Sequence, residues 1–144
     1  GAFDLSQVMS AAPITGGCLC GRIHYTIDRP PRIVCHCHCR LCQLASGALF
    51  LTWATFDAPA FTLTAGTPAI HESSATGRRH FCADCGTPLM MTTTDEPQKI
   101  DVTLASLDEP DRFTVQHNIW VGSRRAASKG FDTTLPSHLD EPTD

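Results

Sequence analysis

The chain has 144 residues, with 11 Lys and Arg against 15 Asp and Glu, a net charge of −4, and 42% apolar residues. This length suits one ordinary domain, and the lean apolar fraction implies that something besides burial helps to hold it. Phosphate backbones require clustered cations, and the nearest cluster here, Arg124-Arg125 with Lys129, reads as solvated surface, which disfavours a nucleic-acid partner.

Residues 1–15 read as an N-terminal extension without Lys, Arg or a long apolar run, hence neither a signal peptide nor a membrane span. Met9 fits a native start behind added residues. In RIHYTI, Ile23, Tyr25 and Ile27 share one strand face, and Pro30-Pro31 ends the run. ALFLTWATF (48–56) is apolar on both faces, as a central strand is. FTLTAG, AIHESS, RRHFC and PLMMTT follow as short strands. KIDVTLASL puts Ile100, Val102 and Leu104 on one side, and FTVQHNIWV is the last strand. Only QLASG, stopped by Gly47, reads as helix. The expected fold is mainly β: a single small domain of folded-over antiparallel sheets over 16–123, with a tail at 124–144 that is partly disordered from Ala126.

Eight cysteines fall into three groups: Cys18-x-Cys20, a cluster at 35, 37, 39 and 42, and Cys82-x-x-Cys85. Without an export signal a reducing cytoplasm is expected, where paired cysteines point to metal before disulfides. Gly86 follows Cys85, and Gly17 and Gly21 flank the first pair, as in zinc knuckles. Two pairs from distant segments make one closed tetrahedral site, so Cys18, Cys20, Cys82 and Cys85 are expected to hold a structural zinc that adds to folding free energy.

The stretch VCHCHCRLC (34–42) packs four cysteines and two histidines into nine positions. In an extended chain Cys35, Cys37 and Cys39 share one face, with His36 and His38 on the other. A turn after Cys39 brings Cys42 back, so Cys37, Cys39 and Cys42 form a three-thiolate set with an open fourth position, as a catalytic zinc has. Cys35 is the alternative fourth ligand, which would close the site. Three successive i, i+2 thiolates need strong bending, and geometry favours the open arrangement.

GGCLCGRIHYTI, CHCRLCQLASG and FCADCGTPL together resemble the cysteine signature of the glutathione-dependent formaldehyde-activating enzyme family, which includes the centromere protein V-like proteins. The resemblance covers residues 16 to 123. It implies an all-β fold shared with a small zinc-containing chaperone of Rab GTPases, and two zincs per chain. One zinc falls on Cys18, Cys20, Cys82 and Cys85; the other, catalytic, falls on Cys37, Cys39 and Cys42, with Cys35 outside the motif. It also implies carbon–sulfur lyase chemistry, joining glutathione and formaldehyde as S-hydroxymethylglutathione. Where relatives often carry a tryptophan after the Ser-Arg pair, this chain has Ala126-Ala127-Ser128.

An open zinc can lower the pKa of a bound thiol or polarise a carbonyl. No base is singled out: His36 and His38 point away from the thiolates and read as structural, His80 as an outer neighbour of the Cys82 knuckle, and His71 and Glu72 as solvent-facing. Ser46-Gly47 reads as a helix stop. Trp53 reads as core, and Trp120, in QHNIW, as the better pocket residue. Two functions compete: an enzyme acting on thiol–aldehyde adducts, and a non-enzymatic two-zinc module that binds a protein partner. Oligomeric state is left open.

Overall fold

The computed structural model describes residues 12–129 and 135–140. Among these, the order is β1 (Ile14–Gly17), β2 (His24–Ile27), β3 (Ile33–Cys37), α1 (Arg40–Ser46), β4 (Leu51–Asp57), β5 (Phe61–Ala65), β6 (Ala69–Glu72), β7 (Gly77–Phe81), β8 (Pro88–Thr93), β9 (Lys99–Thr103) and β10 (His117–Ile119). Strands β1, β2 and β5 form one sheet, and the rest form a seven-stranded sheet in the order β10-β3-β4-β9-β8-β7-β6. Met9 and most of the 1–15 extension lie outside the described residues, as do 130–134 and 141–144 of the tail; Ala126–Ser128 form a single 3-10 turn. No helix among the described residues is long and apolar enough to cross a membrane.

Alternation along the strands explains the architecture. Opposed residues across paired strands share a face, and register links Val34, Ala54, Val102 and Met90 in one row across β3, β4, β9 and β8. All four are buried and pack with Ile14, Ile23, Tyr25 and Ile27 of the small sheet, forming the core between the sheets. The neighbouring row, Ile33, Thr55, Asp101, Met91 and Arg79, faces the other way. One face of the large sheet is therefore core, and the other is available for a site.

The antiparallel expectation holds for every strand pair but one: β10 runs parallel to β3, pairing His117 with Cys35 and Ile119 with Cys37. The chain after β9 leaves the sheet through a turn at Leu104–Ser106, passes the small sheet where Asp108 N–H donates to Thr15 O at 2.8 Å, and returns at the far edge. A long crossover of this kind suits a parallel pair. FTVQHNIWV accordingly contributes only a three-residue strand, because Gln116 is spent on Val34: its amide donates to Val34 O at 2.8 Å and its Oε1 accepts from Val34 N at 3.0 Å. KIDVTLASL ends as strand at Thr103, and ALFLTWATF begins as strand only at Leu51.

The small sheet is pinned where β1 passes Tyr25. The Tyr25 hydroxyl shares a 2.6 Å hydrogen bond with Ser106 Oγ, and burial outweighs that bond to push its pKa up to about 12. A Cβ on Gly16 would overlap both the Tyr25 hydroxyl and the Ser106 carbonyl. Gly16→Ala is expected to cost about 1–3 kcal/mol, the range for overpacking a filled site, read as a lowered denaturant midpoint with unchanged slope.

Candidate metal centres

The first cluster joins two knuckles. Gly21 at φ 79° and Gly86 at φ 80° take left-handed conformations that let each chain turn tightly around its sulfurs. Ile23 N–H donates to Cys18 Sγ at 3.3 Å, and the Thr87 hydroxyl lies 3.2 Å from Cys85 Sγ while accepting from Leu19 N–H at 3.0 Å. Hydrogen bonds from Thr87 lead the causes that hold the Cys85 thiol low, at about 5. An Arg22–Asp84 ion pair at 3.3 Å ties the knuckles on the outside.

The sulfurs of Cys18, Cys20, Cys82 and Cys85 all lie within 4.8 Å of one another. Cys18–Cys20 and Cys20–Cys82 are 3.5 and 3.7 Å apart, and no cysteine of the chain is in a disulfide. Zinc–sulfur bonds of about 2.3 Å in a tetrahedron require edges of about 3.8 Å. The donor set and its spacing fit a metal ion.

The second cluster forms where β3 passes into α1. The extended stretch ends at Cys37, and Cys39 does not continue the strand face: it is the N-cap of α1, its Sγ accepting from Cys42 N at 3.3 Å. The helix thus starts at Arg40, earlier than QLASG suggests, because a sulfur stands where serine or aspartate usually caps. Cys42, in the first turn, comes back over β3. The sulfurs of Cys37, Cys39 and Cys42 lie within 4.8 Å of one another, and this group does not include Cys35. Cys35 lines the same groove further along the strand, with burial first and then Asp101 pushing its thiol pKa up.

Two further groups converge on Cys42. Trp53 Nε1–H donates to Cys42 Sγ at 3.4 Å, and the two terminal guanidinium nitrogens of Arg79 lie 3.6 and 3.8 Å from it. The hydrogen bond from Cys37 leads the causes that hold Cys42 low, with Trp53, Cys39 and Arg79 adding to it; the Cys37 thiol is raised in turn. Arg79 is the residue that sequence reading missed. RRHFC looks like an ordinary strand, and only the register that aligns Arg79 with Met91 on the groove face reveals it.

Gln43 anchors the helix from behind, its Nε2 donating to His38 O at 2.8 Å and Ser123 O at 3.0 Å. His36 Nδ1 pairs with Thr52 Oγ1 at 2.7 Å, and His38 Nε2 with Asn118 Oδ1 at 2.9 Å. His80 Nε2 pairs with Thr92 Oγ1 at 3.0 Å instead of supporting the first cluster. His71 and Glu72 are exposed, and Gly47 caps α1 at φ 72°.

The second cluster opens into a groove of about 520 Å³ bounded by Leu41, Trp53, Met91, Ile119 and Trp120 near the sulfurs. Trp120 is 69% exposed and sits at φ 58°, the one non-glycine residue at positive φ among those described. That conformation costs about 1–2 kcal/mol and turns the indole over the rim. Trp53 is buried and Trp120 lines the pocket, as expected; in addition Trp53 lines the groove and touches the cluster, and Trp120 forms the edge.

The model of the glutathione-dependent formaldehyde-activating enzyme family matches residues 13–123. The chain belongs to this family. A Schizosaccharomyces pombe protein named as an uncharacterized lyase is 31% identical over 81 residues, 56% of this chain and 58% of that relative. The match thus spans little more than half the length of that protein. A crystal structure of a Rhodobacter sphaeroides protein shares the fold, with a TM-score of 0.58 at 20% identity over 72% of this chain and 98% of that one.

The geometry leads to a metal-content test. Cys35→Ser is expected to leave zinc per chain unchanged by atomic absorption, whereas Cys42→Ser lowers it by one. A Cys35→Ser protein that lost one zinc would make Cys35 a fourth ligand.

Proposed function

We propose that the protein is a zinc-dependent carbon–sulfur lyase-type enzyme acting on thiol–aldehyde adducts of the S-hydroxymethylglutathione kind. In this reading Cys18, Cys20, Cys82 and Cys85 hold a structural zinc, and Cys37, Cys39 and Cys42 hold a catalytic one. The reading rests on the contrast between the clusters: four sulfurs joining distant segments in one, and three sulfurs at the floor of an open groove in the other. Glutathione and formaldehyde come from the family's name, and the family and the lyase-named relative support the reaction class. Eight cysteines outside disulfides suit a reducing compartment such as the cytoplasm.

A zinc ion bound by the three thiolates supplies a Lewis acid that lowers a thiol's pKa or polarises a carbonyl. The chain's own residues supply the rest. The apolar walls at Leu41, Met91 and Ile119 exclude water from one side of the reactants. In the synthetic direction the thiolate sulfur attacks the aldehyde carbon, a C–S bond forms, and the carbonyl π pair moves to oxygen, which then takes a proton from water. Arg79, beside Cys42, is the cation placed to stabilise that oxygen anion, and the reverse reaction uses the same contact. The motif imidazoles are engaged with Thr52 and Asn118, so the proton leaves through the open groove to solvent.

The alternative, a two-zinc module that binds a protein, draws on the exposed Leu44, Leu49 and Val121 around α1 and the segment after β10. A thermal-shift titration of the zinc-loaded protein with glutathione and other small thiols separates the two. A thiol at 100 times its Kd adds about 2.7 kcal/mol, a rise of several degrees for a domain of this size. No rise with any thiol, both zincs remaining bound, would favour the module.

For the enzyme, Arg79→Met is expected to lower kcat/KM for adduct formation by about 10²-fold, as loss of one oxyanion contact does, with zinc content unchanged. Undiminished activity in that variant would remove Arg79 from the mechanism.

A further inference from the structure

The groove has a second, charged end. Asp101 lies in β9, paired with strands on both sides, and its side chain is only 10% exposed. Aspartate is depleted in such strands, and a buried carboxylate is costly unless its oxygens are matched. Here the matching is partial. Thr55 Oγ1–H donates to Oδ1 at 2.6 Å, whereas Oδ2 has only a loose ion pair with Lys99 Nζ at 3.8 Å. Lys99 also lies 3.7 Å from Glu96, which is half-exposed. Thr55, Lys99 and Asp101 all line the groove that holds the three cysteines, with hydroxyls of Ser73, Thr76 and Thr93 beside them.

We propose that Asp101 and Lys99 form the specificity end of this groove and recognise the α-amino-carboxylate group of the thiol substrate. The inference rests on the thiol reading of the sulfur cluster. A ligand bearing only an ammonium would satisfy Asp101 and face repulsion from Lys99, and one bearing only a carboxylate would suffer the converse. A group bearing both charges on one carbon sets ammonium against carboxylate and carboxylate against ammonium, leaving no net buried charge.

Register also sets the length of the ligand. Asp101 is two strands from β3 and one to two side-chain rows along from Cys35 and Cys37. With strands about 4.8 Å apart and a residue rise of about 3.4 Å, the backbone of Asp101 is on the order of 17 Å from that of Cys37 and on the order of 12 Å from that of Cys35. Free cysteine is too short to reach both ends. A thiol joined through an amide to a distal amino acid, of tripeptide size, is long enough.

The test is calorimetric titration of the zinc-loaded protein with glutathione, N-acetyl-glutathione and S-methyl-glutathione, on the native chain and on Asp101→Asn. Asparagine keeps an acceptor for Thr55 and removes the charge. On the native chain glutathione is expected to bind at least about tenfold more tightly than its N-acetyl form, the scale of a charge-assisted hydrogen bond. In Asp101→Asn that preference collapses towards one, while the affinity for N-acetyl-glutathione stays the same. Equal binding of the two thiols by the native chain, or a preference that survives in Asp101→Asn, overturns the assignment of Asp101 and leaves the thiol site standing. S-methyl-glutathione binding as tightly as glutathione, with an amine preference that needs Asp101, overturns the thiol site and leaves the charged end standing. Binding of none of the three overturns both.

Discussion

The structure depends on the strict two-residue alternation of β3, β4 and β9. Val34, Ala54 and Val102 turn inward, and their neighbours Cys35, Trp53 and Asp101 turn outward, so one sheet builds the core and the groove at the same time. A slip of one residue in β3 would send Cys35 and Cys37 into the core and expose Val34. The buried row therefore fixes the register of the chemical row. With Phe56, Ala54 and Val102 wholly buried, that register is strongly specified.

The two cysteine clusters close loops of different length, which is what the proposed division of tasks between them rests on. Cys20 and Cys82 are 62 residues apart and their sulfurs 3.7 Å apart, so an ion held there constrains nearly half the chain. Loop closure is where a metal clip adds most to stability, which suits a chain with a lean apolar fraction. The second cluster lies within one strand end and one helical turn, from Cys37 to Cys42, and closes almost no loop. Its conformation is already held by Gln43, whose amide reaches both His38 and Ser123. If the second cluster is the reactive one, as proposed, its ligands could rearrange without loosening the fold.

Much of this was legible in the sequence because cysteine spacing and strand alternation are local signals. The cluster of Cys37, Cys39 and Cys42 and the separation of His36 and His38 from it follow from short-range geometry, and the pairing of Cys18-x-Cys20 with Cys82-x-x-Cys85 follows from the need of a tetrahedral site for four ligands. What was hidden depends on register across strands or on unusual roles. Arg79 meets Cys42 only because the register of β7 on β8 sets it opposite Met91 on the groove face. Asp101 reads as the polar side of an ordinary half-buried strand until β9 proves buried on both faces. The early start of α1 escaped because Cys39 caps it, and the parallel β10 because its pairing is set by a crossover, not by the three residues that form it.

Charge balance connects these hidden residues to the visible ones. Three thiolates around a divalent ion carry a charge of about −1, and such a site is a weak Lewis acid unless something offsets it. Arg79 lies beside the Cys42 sulfur, so its cation offsets that charge. Lys99 and Asp101 at the other end are neutral as a pair. The groove lining mixes apolar Ile33, Trp53 and Met91 with the hydroxyl residues Thr55, Ser73, Thr76 and Thr93. A partly desolvated groove still lets a fixed charge act over a longer distance than it does in water. On the proposed reading, a groove of this kind would not select by attracting one sign of charge. It would favour a ligand whose own charges are spaced as its poles are, with the Arg79 guanidinium, beside Cys42, within reach of charge that develops at the reacting atoms.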